Sequence, residues 1–167
     1  MTEEVKRNYL EINSLHDLKE VNKPSEDYSL SLIDPINFQL NKFFYKNIGK
    51  KHKWVDRLTW SEEKWINYVS SKNVNTYVLK HKEDLVGFFE LIFHPENYER
   101  EIAYFGILEE YHNKKLGSYL LSEAIKKSFG NNVNRVWVHT CSLDHKNALN
   151  NYVSRGMKIF KTEILNI

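Results

Sequence analysis

Cysteine is nearly absent from this sequence, and that limits its chemistry. Cys141 is the only cysteine among 167 residues, so no disulfide can form within the chain, as is usual in a reducing compartment. Glycine and proline are also scarce, with 6 and 3 residues, and we find no internal repeat or low-complexity tract. With 41% hydrophobic and 28% charged residues, the composition predicts one ordinary globular domain spanning 1–167.

Long hydrophobic runs are missing as well. No apolar stretch approaches the roughly 20 residues of a membrane span, and the opening MTEEVKRNYL lacks an apolar signal segment. The formal net charge of +2 is too small to indicate nucleic-acid binding by itself. We therefore expect a soluble, cytoplasmic protein without a membrane partner.

The periodic segments predict a mixed α/β fold, with one mostly antiparallel sheet flanked by helices. Residues 1–27 are polar and mixed, and we expect an irregular or partly ordered segment there. The predicted strands are 28–34, 75–81, 84–94, 100–108, 135–141 and 157–165, and the predicted helices are 34–49, 59–69, 116–129 and 144–154.

Residue types near the helix starts predict how each helix is capped. Asp34 and Asp144 are expected to cap the first and last helices. Thr59 and Glu62 have the spacing of a capping box.

The stretch EYHNKKLGSYLLSEAIKK, residues 110–127, leads from a strand into a helix. The free N–H groups of a helix's first turn attract anions, and Lys114 and Lys115 add positive charge. Phosphate loops are usually glycine-rich, whereas this one contains only Gly117. By itself the loop fits a phosphate cradle or a plain strand–helix connection.

Together with its flanks, the loop resembles the GNAT superfamily of acetyl-CoA-dependent N-acetyltransferases. That family has Arg/Gln-x-x-Gly-x-Gly/Ala here, where this sequence has His112, Lys115 and Gly117. Lysine disfavours a backbone shape that suits glycine, although Lys115 can also reach a pyrophosphate oxygen. The resemblance implies acetyl-CoA as cosubstrate, held by Ile107, Leu108, His112, Asn113, Lys114, Lys115, Leu116, Gly117, Ser118 and His145.

Two further segments carry the same resemblance. EIAYFGI, residues 101–107, is similar to the strand that carries the acetyl group, and a backbone N–H at 105–107 would stabilise the developing oxyanion. LDHKNALNNYVSRGM, residues 143–157, is similar to the family's closing Asn-x-x-Ala-x-x-x-Tyr…Gly-Phe segment. His145 stands in the Asn position, where it would either position the pantetheine arm or cap its helix.

The resemblance also suggests the catalytic groups. An alkyl ammonium has a pKa near 10 and must lose a proton before it attacks a thioester. Glu101, in a context similar to that of the family's glutamate base, is our candidate base, directly or through water. Tyr152 matches the family tyrosine that protonates the departing thiolate. The alternatives are an exposed strand-edge glutamate and a core tyrosine.

The front half of the chain is the expected side for the acceptor. Residues 42–57 are rich in lysine, which is usually a solvated surface but would also suit an anionic ligand. Trp54, Arg57 and Trp60 are our acceptor-side candidates, and the competing interpretation for the tryptophans is a place in the core. His139, Cys141 and His145 offer too few ligands for a zinc site, so no metal is expected.

These observations predict an N-acetyltransferase that moves acetyl from acetyl-CoA to a primary amine of a small molecule or peptide by direct attack. One rival is a non-catalytic acyl-CoA-binding module, favoured by the imperfect loop. A second rival, considered unlikely, is a basic–aromatic nucleic-acid binder using residues 42–57. The last strand leaves a homodimer open, because an edge strand can pair with another chain.

Overall fold

The computed structural model of the protein describes residues 3–130 and 132–166. They form one seven-stranded sheet with helices on both faces. The strands are β1 Glu4–Ile12, β2 Tyr28–Leu32, β3 Val74–His81, β4 Asp84–His94, β5 Glu99–Ile107, β6 Arg135–Cys141 and β7 Lys158–Asn166. The helices are α1 Phe38–Gly49, α2 Glu62–Val69, α3 Leu116–Ser128 and α4 Ala148–Ser154, with short 3-10 helices at Leu15–Asp17 and Glu109–Tyr111.

The strand order across the sheet is β2-β3-β4-β5-β6-β1-β7. All neighbouring strands are antiparallel except β5 and β6, which run parallel. The predicted fold class, a mostly antiparallel sheet flanked by helices, is therefore confirmed.

The core has two layers because apolar residues alternate along the central strands. Helix α3 buries Leu116, Leu120 and Leu121 against one face of the sheet. Helix α1 packs Phe44 and Ile48 against the other face, where Phe44 stacks on Phe88 at 4.9 Å between ring centroids. The middle of the sheet is thus covered on both sides.

The prediction of an irregular segment at 1–27 is wrong over β1. This strand buries Val5, Leu10 and Ile12 and lies between β6 and β7. Its partners are more than 120 residues away in the sequence, so no local pattern shows the pairing.

The predicted caps are also wrong, because the helices begin later than expected. Asp34 lies before α1, since Ile33 N–H donates to Thr76 at 2.8 Å and prolongs the strand pairing. Ser61, rather than Thr59, caps α2 by accepting from the amide of Lys64 at 3.1 Å.

At the last helix, Asp144 accepts from the amide of Cys141 at 3.0 Å and so closes the turn after β6. The helix itself begins at Ala148. In the described residues no helix has the length and apolarity needed to cross a membrane.

Candidate active site

The pairing between β5 and β6 is short, and beyond it the two strands separate. Only Glu99–Arg135, Arg100–Val136 and Glu101–Trp137 are paired there. Beyond Glu101, β5 stays with β4 while β6 stays with β1, so the two strands diverge. A cavity of about 1310 Å³ lies at this opening, which exceeds the 300–1,000 Å³ typical of drug-sized ligands.

The loop between α1 and α2 reaches across this cavity. His52 Nδ1 donates to the carbonyl of Leu143, beyond β6, at 3.1 Å. Lys53 Nζ bonds Glu3, just before β1, at 2.7 Å. The loop therefore touches the far side of the opening and forms a roof over it.

Trp54 is placed on the cavity wall by a close approach to the helix before it. A Cβ added at Gly49 would lie 2.5 Å from Trp54 Cβ, so only glycine fits there. On its other side the Trp54 ring meets Tyr104 edge-on, with 4.8 Å between centroids. Trp54 and Trp60 both line the cavity, as the acceptor-side prediction requires.

Arg57 also lines the cavity, but its guanidinium is engaged inward. It is 6% exposed, and its Nη1 donates to both oxygens of Glu90, at 2.9 and 3.2 Å. Burial disfavours its charge, yet Glu90 opposes this effect and the pKa of Arg57 is raised. Arg57 is therefore the cation of a buried ion pair. We expect the aromatic rings around it, rather than its guanidinium, to contact an acceptor.

Glu90 sits in the middle of β4 and is fully buried. Tyr68 donates its hydroxyl to Glu90 at 2.6 Å, and Asn41 Nδ2 donates at 2.9 Å. Aromatic rings surround the Arg57 guanidinium at centroid distances of 4.3 to 5.7 Å, from Tyr45, Trp60, Trp65, Tyr68 and Tyr104. This network fixes the position of Arg57 on the side of the cavity where we expect the acceptor.

The loop before α3 adopts left-handed backbone at two residues. Lys115, the residue preceding the helix, has φ 61° and ψ 19°, and Asn113 has φ 65°. Gly117 needs no such freedom, because an added Cβ there would meet only Asn151 Nδ2, at 3.7 Å. The conformation that suits glycine is thus adopted by a lysine.

Most of the residues in the loop before α3 that we expect to hold acetyl-CoA lie on the cavity. The cavity lining includes His112, Asn113, Lys115, Leu116, Gly117 and Ser118. Lys114 is exposed and lies outside that lining. His112 Nε2 donates to the carbonyl of Ile107 at 2.9 Å, which ties the loop to the end of β5.

Ile107 and Leu108, both expected to hold the cosubstrate, differ in their backbone pairing. The Leu108 amide already donates to Val86 on β4, at 2.8 Å, so it is not free for a ligand. Because backbone groups alternate in direction along a strand, those of Phe105 and Ile107 point away from β4. Of the two expected residues, only Ile107 therefore has an amide free for a ligand, and its role stays a prediction.

The two candidate catalytic groups come from different elements, β5 and α4. Glu101, on β5, has a side chain 17% exposed that contacts His94 Nε2 at 3.0 Å. Tyr152, on α4, is 6% exposed, with its ring 6.4 Å from that of Phe105. Burial raises the pKa of Tyr152, which keeps the phenol protonated. Both residues line the cavity.

His145 lies in the turn before α4. Its Nδ1 accepts from the amide of Asn147, the residue directly before the helix, at 3.1 Å, and its two expected roles stay predictions. Its ring also lies 5.2 Å from His112 and 6.3 Å from His52. These three histidines all lie on the cavity lining.

Cys141 lacks the surroundings of a nucleophile. Burial, followed by the nearby Asp144 carboxylate, raises its pKa, whereas a reactive cysteine needs a lowered pKa. Within 3–130 and 132–166, no group of histidine, cysteine or carboxylate side chains is arranged to hold a metal ion.

Sequence reasoning missed four residues that bear on the site. Glu90 had a visible signal, since it is the one charge inside the apolar run VGFFELIF. His94 gave no signal, because its contact with Glu101 depends on the β4–β5 register. Arg7 and Arg155 line the cavity, and each has a buried Nε without a hydrogen-bond partner among the described residues.

Solved N-acetyltransferase structures share this fold. A GCN5-related N-acetyltransferase from Sphaerobacter thermophilus has a TM-score of 0.70 at 13% identity, over 99% of this chain and 52% of that one. One from Kribbella flavida has a TM-score of 0.67 at 13% identity, over 95% and 56%. An aminoglycoside acetyltransferase from an uncultured soil metagenomic sample, solved with trehalose, has 0.66 at 12% identity, over 80% and 90%. This chain spans about half the length of the first two.

The sequence itself matches the profile described as the acetyltransferase (GNAT) family over residues 37–157. The chain therefore belongs to the GNAT acetyltransferase family, and the resemblance found in the sequence is confirmed. No curated protein matches the sequence.

Proposed function

We propose that the protein is an N-acetyltransferase that moves an acetyl group from acetyl-CoA to a primary amine in a ternary complex. The observation that carries this proposal is that Glu101 and Tyr152 both line one cavity at the β5–β6 opening. A transfer from thioester to amine needs a proton acceptor on the amine side and a proton donor on the sulfur side. These two side chains offer those groups.

The features of the opening fit acetyl-CoA. The backbone of Phe105 and the amide of Ile107 face away from β4, where a ligand can bond them, while the Ile107 carbonyl accepts from His112. The left-handed turn at Lys115 leads into the N-terminus of α3, where unpaired N–H groups suit a pyrophosphate. When bound, acetyl-CoA would supply an activated thioester.

Glu101 would accept a proton from the acceptor ammonium, directly or through water. His94 contacts Glu101, and its Nδ1 lies 3.5 Å from Glu96, whose side chain is 64% exposed. This series of groups would carry the proton to solvent. The neutral amine nitrogen would then bond to the thioester carbon. As the carbon–sulfur bond breaks, the nitrogen would lose its second proton to the phenolate left on Tyr152 after that residue has protonated the sulfur, which restores the phenol.

Tyr152 would give its hydroxyl proton to the leaving sulfur. A general acid must still carry its proton at the moment when negative charge develops on the leaving sulfur. The raised pKa of Tyr152, caused by its burial, keeps that proton in place at neutral pH. No covalent enzyme intermediate is required.

The test is thermal unfolding with and without acetyl-CoA, with ADP as control, followed by a screen of amines for CoA release. A ligand at 100 times its Kd should stabilise the folded state by about 2.7 kcal/mol. We expect a clear shift with acetyl-CoA, a smaller one with ADP, and turnover of at least one amine. A shift without turnover would support a non-catalytic acyl-CoA-binding module, and the absence of any shift would overturn the proposal.

A further inference from the structure

Arg7 lies on the wall of the same cavity, on the side away from β5. It belongs to β1, opposite Cys141 of β6 and Glu163 of β7. Residues directly opposite on neighbouring strands share a face of the sheet, so these three side chains lie together. Both Arg7 and Glu101 line the cavity.

One nitrogen of the Arg7 guanidinium lacks a partner. Its Nε is buried without a hydrogen-bond partner among the described residues, as is the Nε of Arg155 on the same cavity. By contrast, Arg57 bonds Glu90, Arg100 bonds the Ser128 carbonyl, and Arg135 bonds carboxylates on two strands. A buried donor without an acceptor is costly for a protein to keep, and a ligand that accepts from it removes this cost.

The carboxylates near Arg7 have other hydrogen-bond partners. Glu163, its cross-strand neighbour, hydrogen-bonds to Tyr9, which lowers the Glu163 pKa, and the Arg7 charge contributes to the same lowering. Asp144 is held by the amide of Cys141 at 3.0 Å. Glu163 therefore offsets part of the Arg7 charge, but no described residue accepts a hydrogen bond from the Arg7 Nε.

Arg7 is also level with the reacting centre. Glu101 on β5 pairs with Trp137 on β6, and Cys141 lies four residues further along β6. That distance is about 13 Å along a strand, which brings the Cys141–Arg7 pair level with Phe105 across the opening. Phe105 belongs to the stretch that we expect to hold the thioester.

Of the other basic groups on this wall, His139 contributes little charge. Its pKa is lowered, first by burial and then by the Arg7 guanidinium, so it is neutral at pH 7. Lys53 reaches the start of β1 but is paired with Glu3. On β1 and β6, Arg7 is thus the cation with an unpaired nitrogen for a bound anion, whereas Arg155, which also has an unpaired Nε, directly follows α4.

We propose that Arg7 binds a carboxylate presented at the reacting centre, and that this carboxylate belongs to the acceptor, an amine that also carries a carboxyl group. An amino acid or a peptide with a free carboxyl near its amine has this chemistry. A guanidinium matches a carboxylate with two parallel hydrogen bonds. The inference rests on the proposed acetyl transfer and specifies the chemical class of its acceptor. The carboxylate bound by Arg7 could also belong to the donor, as part of a carboxylated acyl group.

The experiment compares amines that differ only in the carboxylate, namely lysine with cadaverine and phenylalanine with phenethylamine, with acetyl-CoA as donor. We expect the carboxylated member to have the higher kcat/KM. Arg7→Gln should lower kcat/KM about 10- to 100-fold for that member and leave its partner within threefold. Arg7→Lys should recover part of the loss, and Lys158→Gln, an exposed cation on β7, should change neither. Equal effects of Arg7→Gln on both members would overturn the inference.

Two further arms separate the possible failures. Succinyl-CoA with the uncharged amines tests the acyl source, and an Arg7→Gln loss seen only there would reassign the carboxylate from the acceptor to the donor. The acetyl-CoA thermal shift is measured on every variant. If acetyl-CoA gives no shift in the unmodified protein, the proposed function fails and this inference with it. If acetyl-CoA shifts the unfolding temperature but neither pair shows a carboxylate preference, only this inference fails.

Discussion

Arg57 and Glu90 form a buried ion pair that joins the α1–α2 loop to the middle of the sheet. Both oxygens of the Glu90 carboxylate accept from Arg57 Nη1, and the two residues are 6% and 0% exposed. The Arg57 amide also donates to the hydroxyl of Tyr45 at 3.0 Å. The roof of the cavity is thus anchored at one end by a charge pair without access to water.

Removing one member of this pair should destabilise the protein strongly. Arg57→Met leaves the Glu90 carboxylate buried without its cation, which costs about 3–5 kcal/mol of unfolding free energy. The double variant Arg57→Met/Glu90→Gln removes the uncompensated charge and should recover much of that loss. Urea unfolding measures both.

The matched control for this prediction is Lys51→Met, which breaks the exposed ion pair with Glu109. Exposed pairs contribute little to stability, so no measurable change is expected. If Lys51→Met were as damaging as Arg57→Met, burial would not be the source of the effect.

Tyr152→Phe should reduce chemistry without reducing cofactor affinity. The substitution removes the hydroxyl proton that would go to the leaving sulfur, and loss of a general acid costs about 100-fold or more in kcat. Acetyl-CoA affinity, measured by calorimetry, should stay within twofold. Tyr119→Phe is the control, because Tyr119 is 5% exposed in the core but lies outside the cavity lining. Equal losses in kcat and affinity for Tyr152→Phe would argue against an acid role.

Lys115→Gly should separate backbone strain from charge. A non-glycine residue in the left-handed region is strained, so glycine at φ 61° should stabilise the protein by about 0.5–1 kcal/mol after its own entropy cost. Lys115→Asn removes the charge but tolerates this conformation. If the ammonium contacts the pyrophosphate, both variants should bind acetyl-CoA more weakly, by an amount that shrinks with added salt.

Lys114→Gly serves as the comparison for Lys115, since Lys114 does not have positive φ. It should give no gain in the unfolding temperature and little change in acetyl-CoA binding. A gain equal to that of Lys115→Gly would mean that the left-handed turn is not the origin of the stabilisation.

The stability of the folded state should fall on the acid side because of His139. Its pKa in the folded state is lowered, first by burial and then by Arg7, below an unfolded value near 6.5. As the pH falls below about 6.5, the unfolded chain takes up this proton first, so the free energy of unfolding decreases; the slope stays well below the one-proton limit of about 1.4 kcal/mol per pH unit because solvent reaches the side chain and screens its charge. The stabilisation that neutral His139 contributes is fully present above about pH 6.5. It is lost as the pH falls from there to the pKa of His139 in the folded state.

Urea unfolding at pH 7.5, 6.5 and 5.5 measures this effect. His139→Asn should flatten the decline, whereas His16→Asn, at an exposed position near the N-terminus, should leave it unchanged. Identical pH profiles for His139→Asn and the unmodified protein would show that His139 does not contribute.

The features that could be predicted from the sequence are those determined by residues close together in the chain. The hairpin of β3 and β4 turns where residues 82–84 predicted, because alternation and turn residues are close together in the chain. Tyr152 and the loop around Lys115 were proposed from the resemblance to the GNAT family, and the structure brings both to one cavity. β1 and the position of Arg7 were missed, since their pairings join residues more than 120 apart.

The helix caps show a second limit. Several polar residues precede each helix, and which of them becomes the cap depends on where the preceding strand or turn stops. Ser61 caps α2 because turns at 55–60 carry the chain past Thr59. Glu90 shows the opposite case, in which an isolated charge in an apolar strand could have revealed the buried pair but not its partner.

The position of β1 between β6 and β7 has a consequence for how the chain is made. β1 is made more than 120 residues before its sheet partners, Arg135–Cys141 and Lys158–Asn166. At roughly 5–20 residues per second, that wait is on the order of 6–30 s. During translation the wall that carries Arg7 and Cys141 must therefore be the last part of the sheet to assemble, after β2 to β5 are already available to pair.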